Sequence, residues 1–126
     1  MAPVDGQPGK PRVLVVDDER VIADTLSTIL NQNGFEASAV YSGLSAVDRA
    51  REMKPELVIS DVIMQDMDGI EAAIRIREIL PGCKILLFSG QAATADLLER
   101  ARAQGHEFEI LAKPVHPQDL LAKLKP

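Results

Sequence analysis

Three short, unbroken apolar runs punctuate the chain: Val13-Leu14-Val15-Val16, Leu57-Val58-Ile59 and Ile85-Leu86-Leu87-Phe88. Polar or turn residues bound each of them, the pattern of strands buried on both faces of a parallel sheet. The stretch 35–40 alternates instead, with Phe35, Ala37 and Ala39 opposite Glu36 and Ser38, and 108–111 carries one charge, Glu109. These two predict half-exposed edge strands. Between the runs the apolar spacing becomes helical: Ile22, Leu26, Ile29 and Leu30; then Ile70, Ala73, Ile74 and the aliphatic stem of Arg77; then Thr94, Leu97, Leu98 and Ala101; and last Leu120, Leu121 and Leu124. Punctuation agrees with that phasing. Gly34 and Gly105 fall just past two helices, Pro55 and Pro81-Gly82 come after two others, and Pro117 suits a first helical turn. A helix over 43–53 has the least pattern behind it.

Strand and helix therefore alternate five times, which predicts an α/β fold, a (βα)5 three-layer sandwich with right-handed crossovers. Placing the edge strands second and fifth gives the order 2-1-3-4-5, a flavodoxin-like parallel five-stranded sheet whose ligands gather beyond the carboxyl ends of strands one and three. Residues 1–11 hold Pro3, Pro8 and Pro11 with Gly6 and Gly9 and have no apolar period, so they read as a disordered tail. The domain is expected over 12–126.

Composition narrows the function classes. A chain of 126 residues with 46% hydrophobic and 26% charged residues suits one globular domain. Its 14 Lys and Arg against 19 Asp and Glu give a net charge of −5, so there is no basic field to collect nucleic-acid phosphates or anionic lipid. No run approaches the ~20 apolar residues of a membrane span. The single cysteine, Cys83, reads as a small core hydrophobe and, with no zinc-finger spacing of Cys and His, suits a reducing, cytoplasmic setting.

The chemistry lies at the carboxyl ends of the strands. Asp17-Asp18-Glu19 come after the first, Asp61 after the third, Ser89-Gly90 after the fourth and Lys113-Pro114 after the fifth. Taken singly each is ordinary: an acidic pair is commonly a helix N-cap, Ser-Gly a turn, and Lys-Pro a solvated lysine before a loop. Together they occupy one edge of one sheet. Strands one and three are neighbours, so three carboxylates meet. At an effective dielectric near 20, like charges ~4 Å apart repel by about 4 kcal/mol, so the cluster must take up protons or bind a cation. Hard oxygen ligands with open positions suit Mg²⁺. A carboxylate beside Mg²⁺, a lysine and a small hydroxyl are the parts that phosphoryl transfer to aspartate requires.

With Asp68-Gly69 supplying a turn and cap, and Met64 and Met67 expected to face inward, the stretch from Asp61 reads D-x-x-M-x-x-M-D-G. That stretch, V-L-V-V-D-D-E over 13–19, Ser89-Gly90 and Lys113-Pro114 together resemble the receiver domain of bacterial two-component response regulators. The resemblance implies that Asp61 accepts a phosphoryl group from a sensor histidine kinase or phosphotransfer protein, the receiver itself catalysing only its own phosphorylation and dephosphorylation. It implies Mg²⁺ held by Asp17, Asp18, Asp61 and the backbone carbonyl of Ile63. Lys113 would pair with the phosphoryl oxygens, Ser89 would be the switch hydroxyl, and the Lys113-Pro114 peptide is a candidate cis bond. Glu19 reads as a first-turn helix charge, and His106 and His116 as exposed caps. The implied output is a changed affinity for a downstream domain or protein at the face of the fourth helix, fifth strand and fifth helix, with a phosphorylation-linked homodimer left open.

The chain departs from that family in two places. Gln65 replaces the usual proline, which removes a rigid element from the loop after Asp61. Ile110 stands where a tyrosine or phenylalanine swings inward, so the expected switch is muted or carried by the loop over 89–94. Ile63 and Gln91, two past Asp61 and Ser89, are the positions that tune phosphoryl lifetime, and an apolar Ile63 predicts slow to moderate hydrolysis. A flavodoxin-like cofactor carrier is disfavoured because Asp17-Asp18-Glu19 would repel a cofactor phosphate. An aspartyl-phosphate phosphatase would place a D-x-D nucleophile after the first strand. The strongest alternative is a pseudo-receiver, an unphosphorylated protein-interaction module on the same fold. Whether the domain acts alone or within a longer regulator is left open.

Overall fold

The computed structural model describes residues 9–90, 94–113 and 116–124. In chain order the elements are β1 (Arg12–Val16), α1 (Arg20–Asn31), β2 (Glu36–Val40), α2 (Gly43–Met53), β3 (Leu57–Asp61), α3 (Gly69–Ile79), β4 (Lys84–Ser89), α4 (Thr94–Ala103), β5 (Glu109–Ala112) and α5 (Pro117–Leu124). The five strands form one sheet in the order β2-β1-β3-β4-β5, and every pairing is parallel. This is the flavodoxin-like sandwich the apolar pattern predicts.

Alternate residues of the central strands feed two separate cores. Val13 and Val15 of β1, Ile59 of β3 and Phe88 of β4 pack with Ala23, Leu26 and Leu30 of α1 and Leu120 of α5. Leu14, Val16, Val58 and Leu87 face the other way, against Ala46, Val47 and Ala50 of α2, Ile70, Ala73 and Ile76 of α3 and Ala101 of α4. Each fully buried Val, Leu or Ile contributes about 1.5–3 kcal/mol of burial, so a shift of one residue in strand register would exchange the two cores wholesale. The edge strands are less buried, as expected: β2 has no fully buried residue, and the ends of β5 are exposed.

Several boundaries differ from the sequence expectation. Asp61 and Ser89 are the last residues of β3 and β4 rather than the first residues beyond them, because the ladder continues through the pairs Asp61–Phe88 and Ser89–Ala112. β2 starts at Glu36, since the Phe35 amide is still bonded to Leu30 at the end of α1. α2 spans 43–53 despite its weak pattern: its buried positions are Gly43, Ala46, Val47 and Ala50, small residues with little hydropathic contrast. It ends on Lys54 in the left-handed conformation (φ 51°), an end no glycine announces. The Arg12 guanidinium donates to the carbonyls of Met53 and Lys54 and holds that end.

Gly34 and Gly105 do take left-handed φ values of 91° and 90° beyond α1 and α4. Cys83 is buried, and that burial pushes its thiol up to about 11, as befits a core hydrophobe. Of the α4 stripe, Ala101 is buried and Leu98 half-buried; the Thr94 and Leu97 side chains, residues 1–8 of the tail, Gln91 and Pro114 lie outside the described residues. His106 is a correction. It is half-buried rather than an exposed cap, because its ring stacks on Phe108 (6.2 Å between centroids, 8° between planes), whose ring also carries the Arg77 guanidinium at 4.4 Å. His116 is exposed, its carbonyl accepting the Leu120 amide at the start of α5.

Candidate functional site

Because all five strands run the same way, their carboxyl ends share one edge of the sheet. Val16 lies beside Ser60 in the register, so Asp17, the next residue, comes level with Asp61. Asp17 is held there by its own amide, which donates to the Val40 carbonyl of β2 (3.2 Å), and Asp61 by pairing with Phe88. On the other flank Ser89 pairs with Ala112, and the Lys113 amide donates to the Ser89 carbonyl (3.1 Å). The ladder thus delivers Asp17, Asp61, Ser89 and Lys113 to one place.

The carboxylates of Asp17, Asp18 and Asp61 offer oxygens that all lie within 4.8 Å of one another. Asp17 is fully buried, Asp61 is 5% exposed, and Asp18 is half-buried at the rim. Among the described residues one cation answers them: Lys113 Nζ lies 3.1 Å from Asp61 Oδ2 and 5.4 Å from the centroid of the Phe88 ring. Gly90 is small for a reason, since a Cβ there would stand 3.3 Å from Lys113 Cβ. Ser89 is half-buried beside this group.

Asp17 bears the electrostatic cost. Its Oδ1 accepts the Glu19 amide (2.9 Å), while its Oδ2 is buried and has no hydrogen-bond partner among the described residues. Burial pushes this carboxyl from 3.8 up to about 6; the Asp61 and Asp18 charges add to the rise, and the Glu19 amide and Lys113 oppose it. A buried carboxylate with an oxygen that lacks a donor, in a cluster with two further carboxylates, is the environment a hard divalent cation satisfies. Glu19 does not join the cluster. It is the exposed N-cap residue of α1 and its side chain makes no capping bond, so it precedes the first turn instead of lying in it.

The loop from β3 to α3 completes the rim. Val62 is buried, Ile63 is 43% exposed and Met64 is buried; Met67 is only half-buried, lying over Gly43, where a Cβ would sit 2.9 Å from Met67 Cβ. Asp68 caps α3 by accepting the Glu71 amide (2.7 Å), as its motif suggested. The Gly69 amide donates to the Val62 carbonyl (2.6 Å), and a Cβ on Gly69 would lie 2.0 Å from the Asp61 carbonyl oxygen. Glycine is thus imposed by close approach to the backbone of the central carboxylate.

Asp66 was not among the sequence candidates. Its Oδ1 accepts the Gly43 amide (3.0 Å) and its Oδ2 the Leu44 amide (2.9 Å), so a loop carboxylate caps α2 from 22–23 residues away. Against the rise that burial imposes, the amides of Leu44 and Gly43, with those of Asp66 and Met67, hold its carboxyl below the usual range. Nothing local in the sequence marks such a contact, since both donors are backbone groups.

The profile of the family described as the response regulator receiver domain matches residues 13–125. The chain is 33% identical over 125 residues to the probable transcriptional regulatory protein TcrX of Mycobacterium tuberculosis, covering 99% of this chain and 52% of that protein. It is 33% identical over 114 residues to the chemotaxis protein CheY of Thermotoga maritima, covering 90% of this chain and 93% of that one. The chain thus spans about half the length of TcrX and nearly the whole of that CheY. The crystal structure of a CheY-like receiver domain protein from Methanospirillum hungatei superimposes with a TM-score of 0.82 at 26% identity, covering 91% of this chain and 90% of that one.

Proposed function

The chain belongs to the response regulator receiver family, and from that premise we propose that it is a phosphoacceptor switch in a two-component phosphorelay, taking a phosphoryl group onto Asp61. The observation that supports this most is the pocket itself, three carboxylates within 4.8 Å and Lys113 Nζ at 3.1 Å from Asp61. The nucleophile is the Asp61 carboxylate at the end of β3, and the donor is a phosphohistidine on a sensor kinase or phosphotransfer protein. Asp61 forms a P–O bond as the donor's P–N bond breaks. Lys113 follows the charge from the Asp61 carboxylate to the phosphoryl oxygens, and the Ser89 hydroxyl donates to one of them.

The donor set fits Mg²⁺, which Asp17, Asp18, Asp61 and the carbonyl of Ile63 would hold and which, when bound, neutralises the developing charge on the phosphoryl oxygens. Asp17 supplies the buried oxygen that has no other partner among the described residues, and Asp18 the half-buried one at the rim. The module carries no activity toward a separate substrate. Its output is a changed affinity for a downstream domain or protein at the α4-β5-α5 face. No described helix is long and apolar enough to cross a membrane, and a cytoplasmic location accords with the kinase donor. DNA contact, where it occurs, would belong to another domain, given the net charge of −5. The pseudo-receiver alternative gains no support, because a module that never met a phosphoryl group would have no use for a buried, mutually repelling acid cluster with a lysine poised on it.

The test is intact-protein mass spectrometry after incubation with acetyl phosphate, with and without Mg²⁺, beside Asp61→Asn. A metal-dependent gain of one phosphoryl group, absent from the variant, is expected. No gain under conditions that modify another receiver would overturn the reading in favour of the unphosphorylated scaffold.

A further inference from the structure

We propose that Asp66 is a positioning residue for the phosphoacceptor loop: by clamping the first two amides of α2 it fixes the backbone after Asp61 and so the carbonyl of Ile63. This rests on the reading of the pocket as a cation-dependent phosphoacceptor site and adds to it a residue that touches neither cation nor phosphoryl group.

Like any helix, α2 leaves its first N–H groups without intrahelical partners. The Ser45 amide is served locally by Ser42 Oγ (3.0 Å), whereas those of Gly43 and Leu44 go to the two carboxylate oxygens of Asp66. A local cap anchors only the helix; a two-toothed bond from a distant loop also anchors the loop. The carboxylate is charged and faces the positive end of the helix dipole, the strong form of such a bond.

The loop, for its part, is held at few points. Val62 is fixed through its amide to Phe88 and its carbonyl to Gly69, and Met64 is buried in the core. Gln65 is exposed and carries no ring to restrict its φ. Beyond it come Asp66 and then Met67, whose side chain lies over Gly43, where only a glycine allows that approach. The pair Asp66 and Met67 therefore docks the loop's second half on the start of α2, and the exposed Ile63 sits between that anchor and Val62. Partners that orient a ligand from outside its first coordination sphere commonly matter about 10–100-fold in metal affinity, and one that acts only through the loop backbone falls at or below the lower end of that range.

The experiment compares Asp66→Ala and Asp66→Asn with Ser42→Ala, which removes a cap from the same helix without touching the loop, all in the 126-residue chain. Two quantities are read: amide hydrogen exchange over 62–66 in metal-free protein, and Mg²⁺ affinity by calorimetry. For Asp66→Ala, exchange in the loop should rise and Mg²⁺ affinity fall by about three- to ten-fold, with acetyl phosphate uptake recovering at saturating Mg²⁺. Asp66→Asn, which keeps one acceptor, should restore part of the affinity. Ser42→Ala should lower the melting temperature and leave both loop exchange and Mg²⁺ affinity unchanged. Equal effects of Asp66→Ala and Ser42→Ala on Mg²⁺ affinity, or no effect of Asp66→Ala on loop exchange, would overturn the assignment while wild type still takes up phosphate. A wild type that binds no Mg²⁺ and takes no phosphoryl group would remove the premise, and the assignment with it.

Discussion

Replacing Asp17 by Asn should make the metal-free protein more stable near neutral pH, although Asp17 is fully buried beside the central strands. The wild-type carboxyl is buried, has an oxygen without a donor among the described residues, and sits against two other carboxylates. Its folded pKa of about 6 lies above the ordinary 3.8, so the native state holds this proton more tightly than the unfolded chain. Stability from this group is therefore full below pH 3.8 and is lost as pH rises through 6. At about 1.36 kcal/mol per pKa unit the full loss is about 3 kcal/mol, an upper figure because the pocket opens to water beside Asp18, and about 1–3 kcal/mol is expected. An asparagine amide would instead donate to the carboxylates around it. For a domain of this size, roughly 4 °C of melting temperature per kcal/mol gives a gain of about 4–12 °C. The assay is thermal unfolding by circular dichroism in EDTA between about pH 4 and 7.5, reading the difference between variant and wild type so that titrations common to both cancel. The difference should shrink as pH falls below 6, and Mg²⁺ should raise the melting temperature of wild type more than that of the variant. A variant less stable than wild type at neutral pH without metal, or a difference independent of pH, would refute the reasoning.

The loop after Asp61 yields two further expected outcomes. Gly69→Ala forces a Cβ to 2.0 Å from the Asp61 carbonyl oxygen; it should cost about 1–3 kcal/mol by denaturant melts and slow phosphoryl uptake, because the backbone that must yield is that of Asp61 itself. Ile63→Asn puts a water-orienting amide at a 43% exposed position beside the pocket; one hydrogen bond of about 1 kcal/mol to the hydrolytic water should shorten the phosphoryl lifetime about five-fold, read by mass spectrometry after acetyl phosphate is removed, and an unchanged rate would show that Ile63 does not govern access.

What could be read from the chain depended on where the information is stored. The central strands were visible because burial on both faces leaves runs such as Val13 to Val16 with no polar interruption. Once those runs are placed, a parallel register carries Asp17, Asp61, Ser89 and Lys113 to the same edge with little freedom, so the pocket could be assembled from the chain alone. The ladder ran further than the apolar runs, two residues past Ile59 to Asp61 and one past Phe88 to Ser89, because those last pairings are made by backbone groups that any side chain shares. α2 was faint for a related reason: alanines fill the space against β1, and their burial leaves almost no contrast in hydropathy. Lys54, with its left-handed φ, was hidden because what stabilises it is Arg12, 42 residues away. Asp66 is the sharpest case. In sequence it is one more acidic residue of a turn, and its partners are two amides that carry no residue code. Side chains gathered at strand ends are specified by type and register together and can be read; a residue that holds a loop by bonding distant backbone is specified by neither. The loop after Asp61, where Gln65 takes a proline's place, is therefore where sequence alone would miss the restraint, and Asp66 is the side chain placed to supply it.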